Sequence, residues 1–366
     1  MSSGIPLITQ ILREPERSLD LSLRQWDVLI RQARTALLLG KLSAQLHRIG
    51  VYEGVPEAPK QHLFAADTFY ARQRIALRFE TGRILDALRS EAVQPIFMKG
   101  AAYEIAGLPA AEGRLFNDLD ILVPRAALDA VESALKRHGY SDVHHDAYDQ
   151  RYYRKWMHEI PPLMHPQRGS VIDVHHNILP STAVLKPDAA LLLEAAQEVE
   201  GQPGVRVLQP VDLLLHSAVH LFFDGEFGHG LRDLTDMDAL IRHYLRDATG
   251  WSRLLQRARE LGLGRPLYYA LRYAVRVLDT PVPEDVLGAS EVFAPAGPAR
   301  AFMDRVFLHG LAPAHPTCRR PLDSAARKLL YTRGHLLRMP LHLLIPHLAR
   351  KALRGSAVDD THQAKN

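Results

Sequence analysis

A single cysteine, Cys318, in 366 residues excludes an intramolecular disulfide, so stability must come from a packed core. A reducing compartment fits that scarcity. No apolar run reaches the roughly 20 residues that a membrane-spanning helix needs. The stretch 341–348 comes nearest and is interrupted by His342, Pro346 and His347. Residues 1–6 lack a basic segment followed by an apolar one, so no secretory signal is read and a cytoplasmic location is expected. Phosphate-loop and dinucleotide glycine fingerprints are absent, which removes P-loop kinases and Rossmann dehydrogenases. No nucleophile elbow points to a serine hydrolase. Cys318 has basic neighbours, Arg319 and Arg320, that favour a thiolate, but it lacks an identifiable catalytic partner and is read as non-catalytic. Internal repeats and low-complexity blocks are also missing. The net charge of +4 is too mild to argue nucleic-acid binding by itself.

What is present is concentrated in residues 116–123, Phe-Asn-Asp-Leu-Asp-Ile-Leu-Val. Side chains two apart on a strand share a face. Asp118, Asp120 and Leu122 therefore face one way, and Leu119, Ile121 and Val123 the other. Two adjacent carboxylates repel and are costly to hold near apolar surroundings. A hard divalent cation relieves both problems, and Mg²⁺ commonly joins few protein carboxylates to substrate phosphates. Upstream, the apolar residues 94–98 run into Lys99, Gly100 and a helical pattern. Glycine there permits close backbone approach, and a helix start offers unpaired N–H groups to a phosphate. Downstream, the alternating segment 171–175 places Asp173 and His175 on one face, giving a candidate third carboxylate on another strand of the same sheet.

The combination of Lys99-Gly100-Ala101, Arg114, Asp118-x-Asp120 with its apolar tail, and Asp173-x-His175 resembles a bacterial nucleotidyltransferase family of the polymerase-β-type superfamily. The resemblance covers roughly residues 90–285, including Asp212, the His216/His220 pair and Trp251. It implies that Asp118 and Asp120 bind Mg²⁺ or Mn²⁺ and that Asp173 serves as a further metal ligand or activates the acceptor. It implies an NTP co-substrate, with ATP expected. The superfamily usually follows the glycine with serine or glycine, whereas Ala101 offers no hydroxyl; Lys99 and Arg114 then stand as the cationic phosphate donors, with Arg114 opposing charge on the departing pyrophosphate.

The expected fold class is α+β: a small mixed-sheet nucleotidyltransferase core between N-terminal and C-terminal helical regions. The expected divisions are a helical lead-in at 1–92, the core at 93–182, a helical domain at 183–285, and a linker with a basic helical tail at 286–366. Apolar spacing places lead-in helices within 21–49 and 64–88. The core is read as strand 95–98, helix 100–107, strand 118–123, helix 125–138, and strands near 140–145, 151–157 and 171–177, with helices on one side of the sheet. Later helices fall at 211–223, 231–245, 251–261, 266–278 and 322–353, the last bent at Pro340 and Pro346.

Other clusters have ordinary explanations beside functional ones. His216 and His220, four apart, share a helix face; the choices are a core role, a pocket for acceptor or base, or a transition-metal site. Asp233, Asp236 and Asp238 suit a helix start, with Asp236 a candidate for the nucleotide's sugar or base. His158 and Glu159 precede Pro161-Pro162 in a loop; His158 is within range of the Asp173 strand, and Glu159 is the next candidate for the third acidic role. The tail carries Arg305, Arg319, Arg320, Arg327, Lys328, Arg333, Arg338, Arg350 and Lys351 among leucines. That pattern fits a phosphorylated acceptor, an anionic membrane surface with peripheral location, or a helix packed on its own domain. The first functional expectation is metal-dependent transfer of a nucleoside monophosphate from an NTP to an unidentified acceptor hydroxyl or phosphate. The alternatives are a non-catalytic nucleotide-binding protein on the same fold and a toxin-like tRNA nucleotidyltransferase, RNA remaining open as an acceptor.

Overall fold

The structure is a computed structural model, and it describes residues 4–143, 146–225 and 227–345. Among these residues it is an α+β protein with one seven-stranded mixed sheet and helices on either side of it in the chain. The strands are β1 Ile96–Phe97, β2 Leu119–Leu122, β3 Ser141–Asp142, β4 Leu163–Met164, β5 Val171–His175, β6 Gln197–Glu198 and β7 Arg206–Val207. Their order is β3-β4-β5-β2-β1-β7-β6. β2 is the hub. It runs antiparallel to β1 and parallel to β5, with Asp120 directly opposite Asp173 and Leu122 opposite His175. Leu119, Ile121 and Val123 are buried on one face, and Asp120 and Leu122 on the other are buried as well. The sheet continues past residue 182, because β6 and β7 form its far edge.

Helices Leu23–Thr35 and Leu39–Arg48 occupy the region 21–49. Ser22 starts the first through a capping box with Gln25. The break between them falls at Leu37, whose φ of 55° leaves the helical region. A 32-residue helix, Glu57–Leu88, then passes beside the core. Glu80 on this helix accepts from Tyr140 at 2.8 Å and also pairs with Arg168. Arg74 on the same helix donates to buried Glu104 at 2.7 Å.

One expected strand is corrected. Residues 151–157 do not form a strand: the helix Ala147–Trp156 occupies most of that span. Its aromatic residues follow helical spacing, with Tyr148 stacked on Tyr152 and Tyr152 edge-on to Trp156. Arg154 reaches from it to Glu132 with two hydrogen bonds of 2.8 Å.

The C-terminal body contains the helices Pro210–Phe223, Gly230–Tyr244, Ala248–Glu260, Gly264–Leu278, Glu284–Ser290, Gly297–Gly310 and Asp323–Arg338. Phe222, Phe227, Tyr269, Tyr273 and Phe307 cluster at its centre. Asp212, fully buried, takes two hydrogen bonds from Arg257 at 2.8 and 2.9 Å. Arg333 from the tail helix lies over the rings of Phe223, Tyr269 and Phe307 and donates to the Phe222 carbonyl. Arg327 likewise turns inward, onto the carbonyls of Phe227 and Ala312. Leu330 is buried beside them, while Leu329, Leu336, Leu341 and Ile345 stay exposed. Pro346, Arg350 and Lys351 lie outside the described residues. No helix among the described residues is long and apolar enough to cross a membrane.

Candidate active site

The parallel pairing of β2 with β5 builds the site. It sets Asp120 and Asp173 side by side and adds His175 two residues further along β5. Asp120, Asp173 and His175 each present one ligand atom, and these atoms lie within 4.8 Å of one another. Asp118 stands just before β2 at the exposed rim and acts electrostatically on Lys99 and Asp173. Lys99 follows β1 at the head of the short helix Lys99–Ile105. Its φ of 47° is unusual for a residue with a side chain. From there its Nζ reaches Asp120 Oδ1 at 2.9 Å.

Asp120 is the most heavily partnered of the three carboxylates. His175 Nε2 meets the same Oδ1, also at 2.9 Å. Burial works to raise the Asp120 pKa, but Lys99 and His175 overcome it and hold the carboxyl far below its ordinary value. The reverse occurs at Asp173. Burial, then the charges of Asp120 and Glu159, push its pKa up to about 8. Its Oδ1 is buried without a hydrogen-bond partner. Burial opposes protonation of His175, yet Glu159 and Asp120 raise its pKa on balance.

Gly100 and Arg114 take a different position from Lys99. Arg114 is buried and donates from Nε to Asp236 at 2.8 Å. Lys41 joins the same carboxylate at 2.7 Å. The Arg114 guanidinium lies over Gly100: a Cβ at residue 100 would come within 1.9 Å of its Nη1. A side chain at residue 100 would therefore displace the Arg114 guanidinium or the Phe116 ring. Asp236, a candidate for the nucleotide's sugar or base, is occupied by these two cations. Asp238 is bonded to Arg242 and Thr280, and Asp233 to Arg232.

The helix Pro210–Phe223 supplies His216 and His220. His216 is buried; burial, followed by the charge of Lys99, lowers both pKa values well below the ordinary imidazole range. Asp120 also acts on both, so the pair belongs to the electrostatic surroundings of the carboxylates. His220 has Asp224 and Asp233 at 3.7 and 3.9 Å. Glu159 and His158 enter by backbone pairing with β5, where Glu159 opposes His175. They remain outside the named strands, and the bridge brings His158 and Glu159 against the Asp173 strand, where the sequence makes them candidates. Cys318 is buried far along the chain, and burial raises its thiol pKa despite Arg320.

No curated protein and no solved structure shows significant similarity to the chain. A family model described as "Uncharacterised nucleotidyltransferase" matches residues 22–279. That span takes in the helices from Leu23 to Leu88, the whole sheet, both histidines of Pro210–Phe223 and the Arg114–Asp236 pair. The chain thus belongs to this family of uncharacterised nucleotidyltransferases.

Proposed function

We propose that the chain moves a nucleoside monophosphate from an NTP, with ATP the first to test, to an acceptor hydroxyl or phosphate, using Mg²⁺ or Mn²⁺ in the manner of the polymerase-β-type superfamily. The observation that carries this reading is the direct pairing of Asp120 with Asp173 across β2 and β5, with Asp118 two residues before Asp120. The residues fit such a metal. The donors are carboxylate oxygens, which suit a hard cation, and Asp173 Oδ1 is a buried acceptor with nothing to accept from. When bound, the metal would supply positive charge to the phosphates and to the attacking oxygen.

The chain's own groups supply the rest. Lys99 and His175 keep Asp120 ionised. Asp173 takes the acceptor proton, and the freed oxygen bonds to the α-phosphorus as the bond to the β-phosphate oxygen breaks. Pyrophosphate leaves, with Lys99, which borders Asp120, offsetting its charge. Arg114 acts from beneath, holding the turn at Gly100 against Asp236. His216 and His220, kept neutral, present hydrogen-bonding groups to the acceptor side.

A second reading has one observation in its favour: the Lys99–Asp120 ion pair already satisfies an oxygen that a metal would use. On that reading the protein binds nucleotide without turnover. Incubating the protein with each labelled NTP, Mg²⁺ or Mn²⁺, and a lysate divided into RNA, protein, lipid and small-molecule fractions separates the two. Label in one fraction supports transfer and names the acceptor class; an RNA acceptor would mark the tRNA-directed alternative. Saturable nucleotide binding with no labelled fraction supports the second reading.

A further inference from the structure

Beside the carboxylates lies a second donor set of different chemistry. His158, Glu159 and His175 each present a ligand atom, all within 4.8 Å of one another. Backbone pairing fixes them there. Ile160 N–H donates to the Val174 carbonyl at 3.0 Å and His176 N–H to the His158 carbonyl at 2.8 Å, with Glu159 opposite His175. The imidazoles of His158 and His175 have centroids 5.2 Å apart.

The hydrogen bonding of this group is incomplete. Asp120 can only accept, so His175 Nε2 carries the proton of their 2.9 Å contact. His175 Nδ1 then faces Glu159 Oε2 at 3.2 Å without hydrogen-bond alignment, and His175 is only 2% exposed. His158 Nδ1 is also buried with no hydrogen-bond partner. Unpaired buried polar atoms are costly, and each such atom calls for an explanation. With His175 in its neutral form, three lone-pair bearers converge. A metal-bound histidine commonly donates its other ring N–H to a carboxylate, which is the arrangement His175 already makes with Asp120.

We propose that His158 Nδ1, the Glu159 carboxylate and His175 Nδ1 form a binding site for one zinc-class divalent cation, separate from the Mg²⁺ position at Asp118, Asp120 and Asp173. Two imidazoles and a carboxylate suit a borderline transition metal better than Mg²⁺, which prefers oxygen. Three protein ligands leave a coordination position open for a small oxygen ligand. The site stands whether or not the carboxylates transfer nucleotides.

The test is a Co²⁺ titration of the chelator-treated full chain in excess Mg²⁺, followed by visible d–d absorption and by NMR of paramagnetically shifted imidazole protons. The expected result is a saturating band with shifted imidazole signals, lost on addition of Zn²⁺ and insensitive to Mg²⁺. Glu159→Gln and His158→Ala should weaken Co²⁺ binding at least about a hundredfold, the upper end of the cost of an outer hydrogen bond. Asp118→Asn should retain the band. Melting curves of the metal-free variants check folding, and the near-isosteric Glu159→Gln carries the test if His158→Ala melts early. Absence of the band, or its persistence in a folded Glu159→Gln variant, overturns the site. Loss in Asp118→Asn but not in Glu159→Gln would place Co²⁺ among the carboxylates and overturn it equally.

Discussion

Asp118 and Asp120 differ in what surrounds them, and their substitution should show it. Asp120 is buried and shared by Lys99 and His175, whereas Asp118 is at the rim. Asp118→Asn should abolish Mg²⁺-dependent transfer with the fold intact. Asp120→Asn should do the same and also lower the melting temperature, because Lys99 loses its buried counter-charge. Wild-type turnover by either variant at saturating Mg²⁺ would remove that residue from the metal site. Asp173 allows a test that needs no substrate. Its pKa in the metal-free protein is raised to about 8, by burial first and then by Asp120 and Glu159. A carboxyl raised on folding contributes stability that is present below its unfolded pKa, and that contribution disappears as pH climbs through the folded value. Metal-free Asp173→Asn should therefore melt above wild type at about pH 9 and close to it at about pH 4. Equal melting at both ends would mean that Asp173 is not under that strain. In the transfer assay the same variant should lose at least about a hundredfold in rate, the scale of a missing general base, while still binding NTP.

Among the elements, the link between the lead-in, the core and the C-terminal body runs through a buried ion cluster. Asp236 on Gly230–Tyr244 holds Lys41 from Leu39–Arg48 and Arg114 from the loop before β2. Asp236→Ala strands two buried cations, and a loss of about 3–5 kcal/mol is expected from chemical denaturation. A change below about 1 kcal/mol, the scale of an exposed pair, would show that the cluster is hydrated and not a latch. This connection was invisible in the chain, since the partners are 122 residues apart and nothing local pairs Arg114 with Asp236. The acidic strand was legible because a period of two separates its faces within six residues. The helix Ala147–Trp156 was misread because dense aromatic and basic residues also satisfy a strand pattern; the stacking that settles it is helical. β6 and β7, two residues each, were too short to read. The tail helix was legible as a helix but not in its direction of facing. Arg327 and Arg333 point inward, so removing residues after 322 should lower the melting temperature and solubility. The outward Leu329, Leu336, Leu341 and Ile345 are the side chains that a peripheral contact with an anionic surface would use. Salt-sensitive sedimentation of the full chain with anionic vesicles would assign them that role; no sedimentation at low salt leaves the helix a structural strut.

At the scale of the molecule, the sheet is a frame that converts residue types into a site. Lys99, Asp120, Asp173 and His175 come from three neighbouring strands or their ends, and their registers follow from β1–β2 and β2–β5 pairing. The residue types were readable from the chain; their register was not, because parallel pairing of segments some fifty residues apart depends on everything packed around them. The helices of Pro210–Phe223 and Gly230–Tyr244 then bring His216 and His220 into the electrostatic surroundings of Asp120 and set Asp236 against Arg114 and Lys41. The central claim is that this site carries nucleotidyl transfer, and the position of a label within the NTP tests it most directly. The wild-type chain should be given Mg²⁺, a lysate, and NTP labelled either on the α-phosphate or on the γ-phosphate. The account predicts, as the increment over lysate without the chain, that α-label enters an acceptor, that γ-label enters none and leaves with pyrophosphate, and that Asp118→Asn adds neither. An added transfer of γ-label to an acceptor, or an Asp118→Asn variant as active as wild type, would contradict it.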